Sequence, residues 1–189
     1  MISSQRRLKA RLVRAARPYY SHLPASGEGA RRHGGRFNRQ GAPALYLSFR
    51  LETAASEVRF TLNYQPYTFY FLEVDCGPVA DLSSAGAREA LGVSASDLEC
   101  PNWESEMYRG IKPRSHLMAD RLIERGYAGA VVPSFAAGAG PDDLNLVLWT
   151  WEEVTHAEAL DGAGSKVCVL NRAALPVDAA SWPDRQPPA

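Results

Sequence analysis

Apolar positions along the chain repeat with two different periods, and the changes of period mark the elements. Residues 44–49 (ALYLSF) form a short apolar run after a turn punctuated by Gly41 and Pro43, which predicts a strand. Residues 51–62 place Ala54, Val58 and Leu62 four apart with Ala55 beside them, the repeat of an amphipathic helix. Glu52 in its first turn suits the positive end of the helix dipole. Residues 67–74 (YTFYFLEV) are aromatic and β-branched with apolar side chains on both alternating faces, which predicts a central strand buried on both sides. A short helix is predicted over 83–91, stopped by Gly92, and 101–113 is polar and irregular. Over 115–125 the spacing predicts a helix capped by Ser115, lined by Leu117, Met118, Leu122 and Ile123, and ended by Gly126. Strands at 128–133 and 144–151 flank a glycine-rich loop at 135–140, and 166–170 adds a last one. Helices fall among the strands without a βαβ rhythm, so the expected class is α+β, a single domain with a mixed central sheet. That domain is expected over 1–170, followed by an extension over 171–189 whose proline-rich end, 181–189, frays.

Composition narrows the class of molecule. A chain of 189 residues, 46% hydrophobic and 22% charged, is one soluble domain that buries its core without a disulfide or metal staple. No apolar run approaches the roughly 18 residues of a membrane span, and the basic N-terminus lacks the apolar stretch of a secretory signal. Cys76, Cys100 and Cys168 are odd in number and far apart, which fits a reducing cytoplasm. His22, His33, His116 and His156 are equally scattered, so no metal is expected.

The net charge of zero conceals a split. Residues 1–39 hold ten Lys or Arg against the single acid Glu28, a balance of +9, while the other 150 residues balance at −9. Such asymmetry directs the N-terminal segment toward an anion: nucleic acid, a nucleotide pyrophosphate, or the chain's own acids. A nucleic-acid module would need more than Tyr19, Tyr20 and Phe37 as stacking partners, and no helix-turn-helix or RNA-binding motif is present.

Candidate chemistry begins at Gly34-Gly35-Arg36-Phe37-Asn38. Two glycines allow a tight bend and a close ligand approach, and the arginine offers a planar fork for phosphate or carboxylate. No G-K-[ST] follows, so this is not a P-loop. Tyr46 lies ten residues on in a strand, and Glu57 eleven further on the next helix, bordering its apolar stripe where a carboxylate is partly desolvated. Taken singly, each has a plainer reading: a turn arginine, a sheet aromatic, a surface ion pair. Asp142 and Asp143 read as turn formers after Gly140-Pro141, and Glu104, Glu106 and Tyr108 as a solvated loop. His116 reads as a surface residue, and Trp149 and Trp151 as core.

As a set, the run Gly27–Ala30, Gly34–Asn38, Gly41–Ser48 and Thr53–Glu57 resembles the N-terminal half of the RES domain, a family named for its Arg, Glu and Ser residues. A second match, Gly126-Tyr127, Val132–Ala136 and Asp142–Trp149, resembles the segment that supplies the family's serine and closing strand. The resemblance spans about residues 12–152. It implies an ADP-ribosyltransferase-like fold and an NAD+-consuming toxin of a bacterial toxin–antitoxin pair, with NAD+ as substrate and no metal. By position it puts Arg36, Tyr46, Glu57 and Ser134 in the catalytic places and Arg14, Arg31, Asn38 and Asn145 among further NAD+ contacts. The branch it favours transfers ADP-ribose to a host protein of nucleotide synthesis; the alternative is destruction of NAD+ by phosphorolysis or hydrolysis. It also implies a cognate antitoxin that blocks the site and is itself the DNA-binding partner.

The chemistry agrees with those residue types. Nicotinamide leaves NAD+ as a neutral molecule and needs no general acid, whereas the developing oxocarbenium ion needs a nearby negative charge, which Glu57 can supply. The pyrophosphate calls for a fixed cation such as Arg36, and the nicotinamide ring for a flat wall such as Tyr46.

Overall fold

Alternation in the basic N-terminal segment makes it a strand, and that strand starts the fold. The computed structural model describes residues 5–59 and 66–178. In chain order the elements are β1 (Gln5–Ala16), α1 (Glu28–His33), β2 (Leu45–Ser48), α2 (Leu51–Arg59), β3 (Thr68–Asp81), α3 (Ala85–Leu91), α4 (Ala95–Glu99), α5 (Trp103–Tyr108), α6 (Arg114–Glu124), β4 (Gly129–Pro133), β5 (Leu144–Leu148), β6 (Glu152–Val154) and β7 (Lys166–Val169). The predicted helix end at Leu62 and the tail at 181–189 lie outside the described residues.

The strands form one mixed sheet in the order β1-β2-β5-β4-β3-β7-β6, and β1 also pairs with β3, which closes the first five on themselves. The β1–β3 ladder is antiparallel from Gln5 opposite Ala80 to Ala16 opposite Thr68. At the other seam β1 and β2 share a single pair, Val13 opposite Ser48. Strand alternation sends Leu12, Leu45, Leu47, Leu72, Leu146 and Leu148 to the interior of the closed sheet, where each is at most 1% exposed. The opposite face carries a second core, in which Ala80, Val132 and Val147 meet Leu91, Leu98, Met118 and Leu122 from the helices. The α+β expectation with a mixed sheet holds. After β7 the chain is tied back to it at two residues: Asn171 bonds Phe69 and Phe71, and Leu175 is buried in the interior core.

Three local expectations change. β3 is bonded along both edges, but Phe71 is 43% exposed, because consecutive side chains lie buried on both faces only further along the strand, at Val74–Cys76 and Val79–Ala80. The region 101–113 is more regular than its polarity suggested, since it carries α5. In α6 the buried face is Ser115, His116, Met118, Ala119 and Leu122, while Leu117 and Ile123 point outward. Ser115 is therefore a core residue, and Pro113 occupies the position before the helix.

The charge split is met in part inside the chain. Arg6 pairs with Asp81, and Arg7 and Lys9 both pair with Asp75, so the acids of β3 face the bases of β1 across the ladder. Asp75 is 1% exposed. Burial pushes its carboxyl pKa up, but the attraction of Arg7 and Lys9 outweighs this and holds it below its ordinary value. A depressed folded pKa means stability that is present above about pH 3.9 and lost as pH falls through the folded value. Asp75→Asn is expected to lower the unfolding free energy at neutral pH by about 1.5–3 kcal/mol. It should also flatten the acid limb, as urea midpoints compared between pH 3 and pH 7 would show.

Candidate active site

The chain passes from the end of β2 at Ser48 into α2 at Leu51, which brings Tyr46 and Glu57 to one side of the sheet. Thr53 is buried, and its Oγ1 donates to Asp143 Oδ1 at 2.5 Å, tying the start of α2 to the loop between β4 and β5. That bond, with one from the Gly140 N–H, holds the Asp143 carboxyl below its ordinary pKa. Asp143 is thus a turn former, as its sequence context indicated.

Glu57 sits where three strands converge. Its Oε1 accepts 2.6 Å hydrogen bonds from Ser134 Oγ, at the end of β4, and from Asn145 Nδ2, on β5. Asn145 pairs with Ser48 across the β2–β5 ladder, and Ser48 Oγ donates to Asn145 Oδ1 at 2.7 Å. That second bond fixes which end of the amide meets the carboxylate. Ser134 is oriented in turn by the Ala136 N–H, which donates to its Oγ.

Facing Glu57 is the turn after α1. Gly34 takes φ 75°, a left-handed conformation that ends the helix, and Gly35 and Asn38 exchange backbone hydrogen bonds around a tight bend. The Tyr46 hydroxyl donates to Asn38 Oδ1 at 2.8 Å and accepts from the Phe37 N–H, and burial pushes its pKa above the ordinary value. On the other side His116 Nε2 lies 2.8 Å from the Gly35 carbonyl, with Trp103 against its ring. His116 is 2% exposed rather than a surface residue, and burial lowers its pKa.

Arg36 projects from this turn. Its Nη1 donates to the carbonyls of Glu99 and Cys100, at the C-terminal end of α4, and its guanidinium lies 4.5 Å from the centre of the Phe135 ring. Arg36, Tyr46, Glu57, Asn145, Trp103 and Phe135 all line one cavity of about 370 Å³, floored by Phe37, Val132 and Val147. A second cavity of about 220 Å³ shares Tyr46, Glu57 and Asn145 and continues past α2 to Val13, Arg14, Ala15 and Ser48.

The predicted residues therefore divide. Arg36, Tyr46, Glu57 and Asn145 meet at one cavity, with Ser134 bonded to Glu57 from behind. Arg31 is not on its wall: Nε and Nη2 grip the Glu28 carboxylate at 2.6 and 2.7 Å, a helical i,i+3 pair. Asn38 is 4% exposed and spends its amide on the carbonyls of Ala30, Arg39 and Ala42, so it builds the turn. Arg14 belongs to the second cavity and donates Nη1 to the Pro24 carbonyl at 2.7 Å. Trp103, Phe135, Ser48 and His116 were not singled out as site residues; a tryptophan stranded in a polar stretch was the one available signal.

A carboxylate held by donors from two strands, sharing a cavity with a guanidinium and aromatic walls, can stabilise a developing cation while the guanidinium anchors an anion. Among the described residues, no group of three or more His, Cys, Asp or Glu side chains is placed to hold a metal. Nor is any helix among them long and apolar enough to cross a membrane.

Comparison with known proteins agrees with this layout. The RES domain model matches residues 11–165. Two curated relatives are the NAD(+) phosphorylase MbcT of Mycobacterium bovis and that of Mycobacterium tuberculosis, 30% identical over 133 residues that cover 64% of this chain and 72% of theirs. The crystal structure of the M. tuberculosis MbcT–MbcA toxin–antitoxin complex contains a chain similar in fold, with a TM-score of 0.59 at 24% identity over 90% of this chain and 88% of that one. Motif order, fold and family match converge: the chain belongs to the RES domain family.

Proposed function

We propose that this protein is an NAD+ phosphorylase that acts as the toxin of a toxin–antitoxin pair in the cytoplasm. The observation that carries the reading is the Glu57 carboxylate, held by Ser134 and Asn145 on the wall of the cavity that Arg36 enters from the other side. With NAD+ bound, Arg36 holds the pyrophosphate and Tyr46, Trp103 and Phe135 wall the bases. Glu57 faces the nicotinamide ribose, where its charge stabilises the oxocarbenium ion as the glycosidic C–N bond breaks. The electron pair of that bond leaves with nicotinamide, which departs neutral.

Relatives named as phosphorylases favour phosphate as the acceptor over the host protein that the resemblance had put first. The fold match to a toxin solved with its antitoxin favours a protein partner that covers this cavity. The test is nicotinamide release by the purified chain with NAD+, with and without inorganic phosphate, together with growth arrest relieved by co-expressing the neighbouring gene product. Release that rises with phosphate supports the reading; no release from NAD+ overturns it.

Arg36→Lys tests the anion contact. Lysine keeps the charge but cannot hold the two carbonyls at the end of α4 and a phosphate in one planar fork. The loss of one charge-assisted bond, about 1.5–3 kcal/mol, corresponds to a fall of about 10- to 100-fold in kcat/KM for NAD+. An unchanged kcat/KM would remove Arg36 from this role.

A further inference from the structure

The Ser134 and Asn145 donors to Glu57 Oε1 are each aimed by a further hydrogen bond. The Ala136 N–H donates to Ser134 Oγ, and Ser48 Oγ donates to Asn145 Oδ1 at 2.7 Å. The first of these comes from the backbone, the second from a side chain. Ser48 stands in the middle of a row across three strands, opposite Val13 on β1 and Asn145 on β5, and residues directly opposite share a face of the sheet. It is 5% exposed and lies along the second cavity with Val13 and Ala15 of β1 and Ala54 and Val58 of α2.

Those four neighbours are apolar, and a hydroxyl among them costs free energy unless it is hydrogen-bonded. Alanine or valine would suit the packing as well, so packing does not call for serine here. What the hydroxyl adds is the bond to Asn145. With Oδ1 occupied by Ser48, the amide presents Nδ2 to Glu57 Oε1 at 2.6 Å. Without that donor the carbonyl end of the amide is left unpaired, the amide pivots, and its N–H no longer holds the carboxylate in one place. A contact that stabilises charge in a transition state is sensitive to such movement, since a displacement of about 1 Å can cost about 100-fold in rate.

We infer that Ser48 is a positioning residue for the reaction: its hydroxyl holds the Asn145 amide so that Nδ2 keeps the Glu57 carboxylate aimed at the nicotinamide ribose. It acts through Asn145 and not on the substrate, along a path from β2 through β5 to α2. A loosened carboxylate still leaves the dinucleotide its room and its charge partners, so the effect belongs to kcat and not to the KM for NAD+. The inference rests on the reading of Glu57 as the charge that faces the ribose.

Nicotinamide release from NAD+ at saturating phosphate tests it. Ser48→Ala is expected to lower kcat about three- to tenfold, the worth of one neutral hydrogen bond, with the KM for NAD+ within about twofold of wild type. Ser48→Thr keeps the hydroxyl, its methyl group finding room in the second cavity, and is expected to keep about half or more of the wild-type kcat. A packing role would cost the same whatever stands at positions 145 and 57; a positioning role does not. In chains that already carry Asn145→Ala or Glu57→Gln, adding Ser48→Ala is therefore expected to change kcat by less than about twofold. Ser48→Cys, close in size and a weak donor, reads the same loss if thermal unfolding shows the alanine chain to be unfolded. Wild-type kcat in the folded Ser48→Ala or Ser48→Cys chain, or a fall that persists undiminished beside Asn145→Ala and Glu57→Gln, overturns the inference while leaving the phosphorylase standing. No nicotinamide release by the wild-type chain overturns the reading beneath it.

Discussion

Glu57→Gln leaves the chain folded and lowers nicotinamide release by about 10²- to 10³-fold, the size of effect that follows removal of one preorganised electrostatic partner of a transition state. The substitution isolates charge from shape. The bonds from Ser134 Oγ and Asn145 Nδ2 are donated to the same Glu57 oxygen, and a glutamine carbonyl accepts both. What disappears is the negative charge beside the ribose, which matters only as the oxocarbenium ion develops. The fall is therefore expected in kcat, with the KM for NAD+ within about threefold of wild type. Steady-state kinetics, with thermal unfolding as the control, check it. A glutamine variant that keeps a tenth or more of the activity would mean that the carboxylate orients the cavity without stabilising charge in it.

The second large effect is expected at a residue without a side chain. A Cβ on Gly35 would lie 2.5 Å from the Tyr46 hydroxyl oxygen and 2.7 Å from Asn38 Oδ1, two atoms hydrogen-bonded to each other. Tyr46 is held on β2 and Asn38 by three carbonyls, so neither yields without breaking the turn. His116 grips the Gly35 carbonyl from the other side, which blocks retreat in that direction. Gly35→Ala is thus expected to cost about 1–3 kcal/mol of stability. It also moves the base of Arg36, so kcat/KM for NAD+ falls by more than tenfold even at temperatures where the chain stays folded. Denaturant midpoints paired with kinetics separate the two consequences. Unchanged values in both would show that the turn has slack.

How far the sequence discloses this molecule depends on the range of the interaction that matters. The strand at β2, the helix carrying Glu57 and the stop at Gly92 are local, set by periodicity and by a residue free to take positive φ, and the sequence discloses all three. β1 was equally local: Leu8, Ala10 and Leu12 alternate with Arg7, Lys9 and Arg11, but a segment weighed as a block of charge conceals its period of two. Its partners Asp75 and Asp81 lie across a ladder joining distant stretches of chain, so no window along the sequence shows the neutralisation.

The site divides in the same way. Motif order located Arg36, Tyr46, Glu57 and Asn145, because the family resemblance supplied the long-range pairing that spacing lacks. It could not tell a cavity arginine from one satisfied on its own helix, and Arg31 is the latter. Nor could it find His116, whose partner is a backbone carbonyl 81 residues away, or Phe135, whose meaning depends on the guanidinium stacked on it. Ser48 lay within the matched run, yet its role exists only through the cross-strand pair with Asn145.

The central claim is that phosphate, and not water or a protein, receives the ADP-ribosyl group. The direct measurement is mass spectrometry of the products formed from NAD+ and oxygen-18-labelled inorganic phosphate by the wild-type chain. Phosphorolysis breaks no P–O bond of the incoming phosphate, so all of its heavy oxygens should appear in ADP-ribose 1-phosphate, formed one for one with nicotinamide. Unlabelled ADP-ribose, or ADP-ribose carried on a protein, formed in step with nicotinamide would contradict the account.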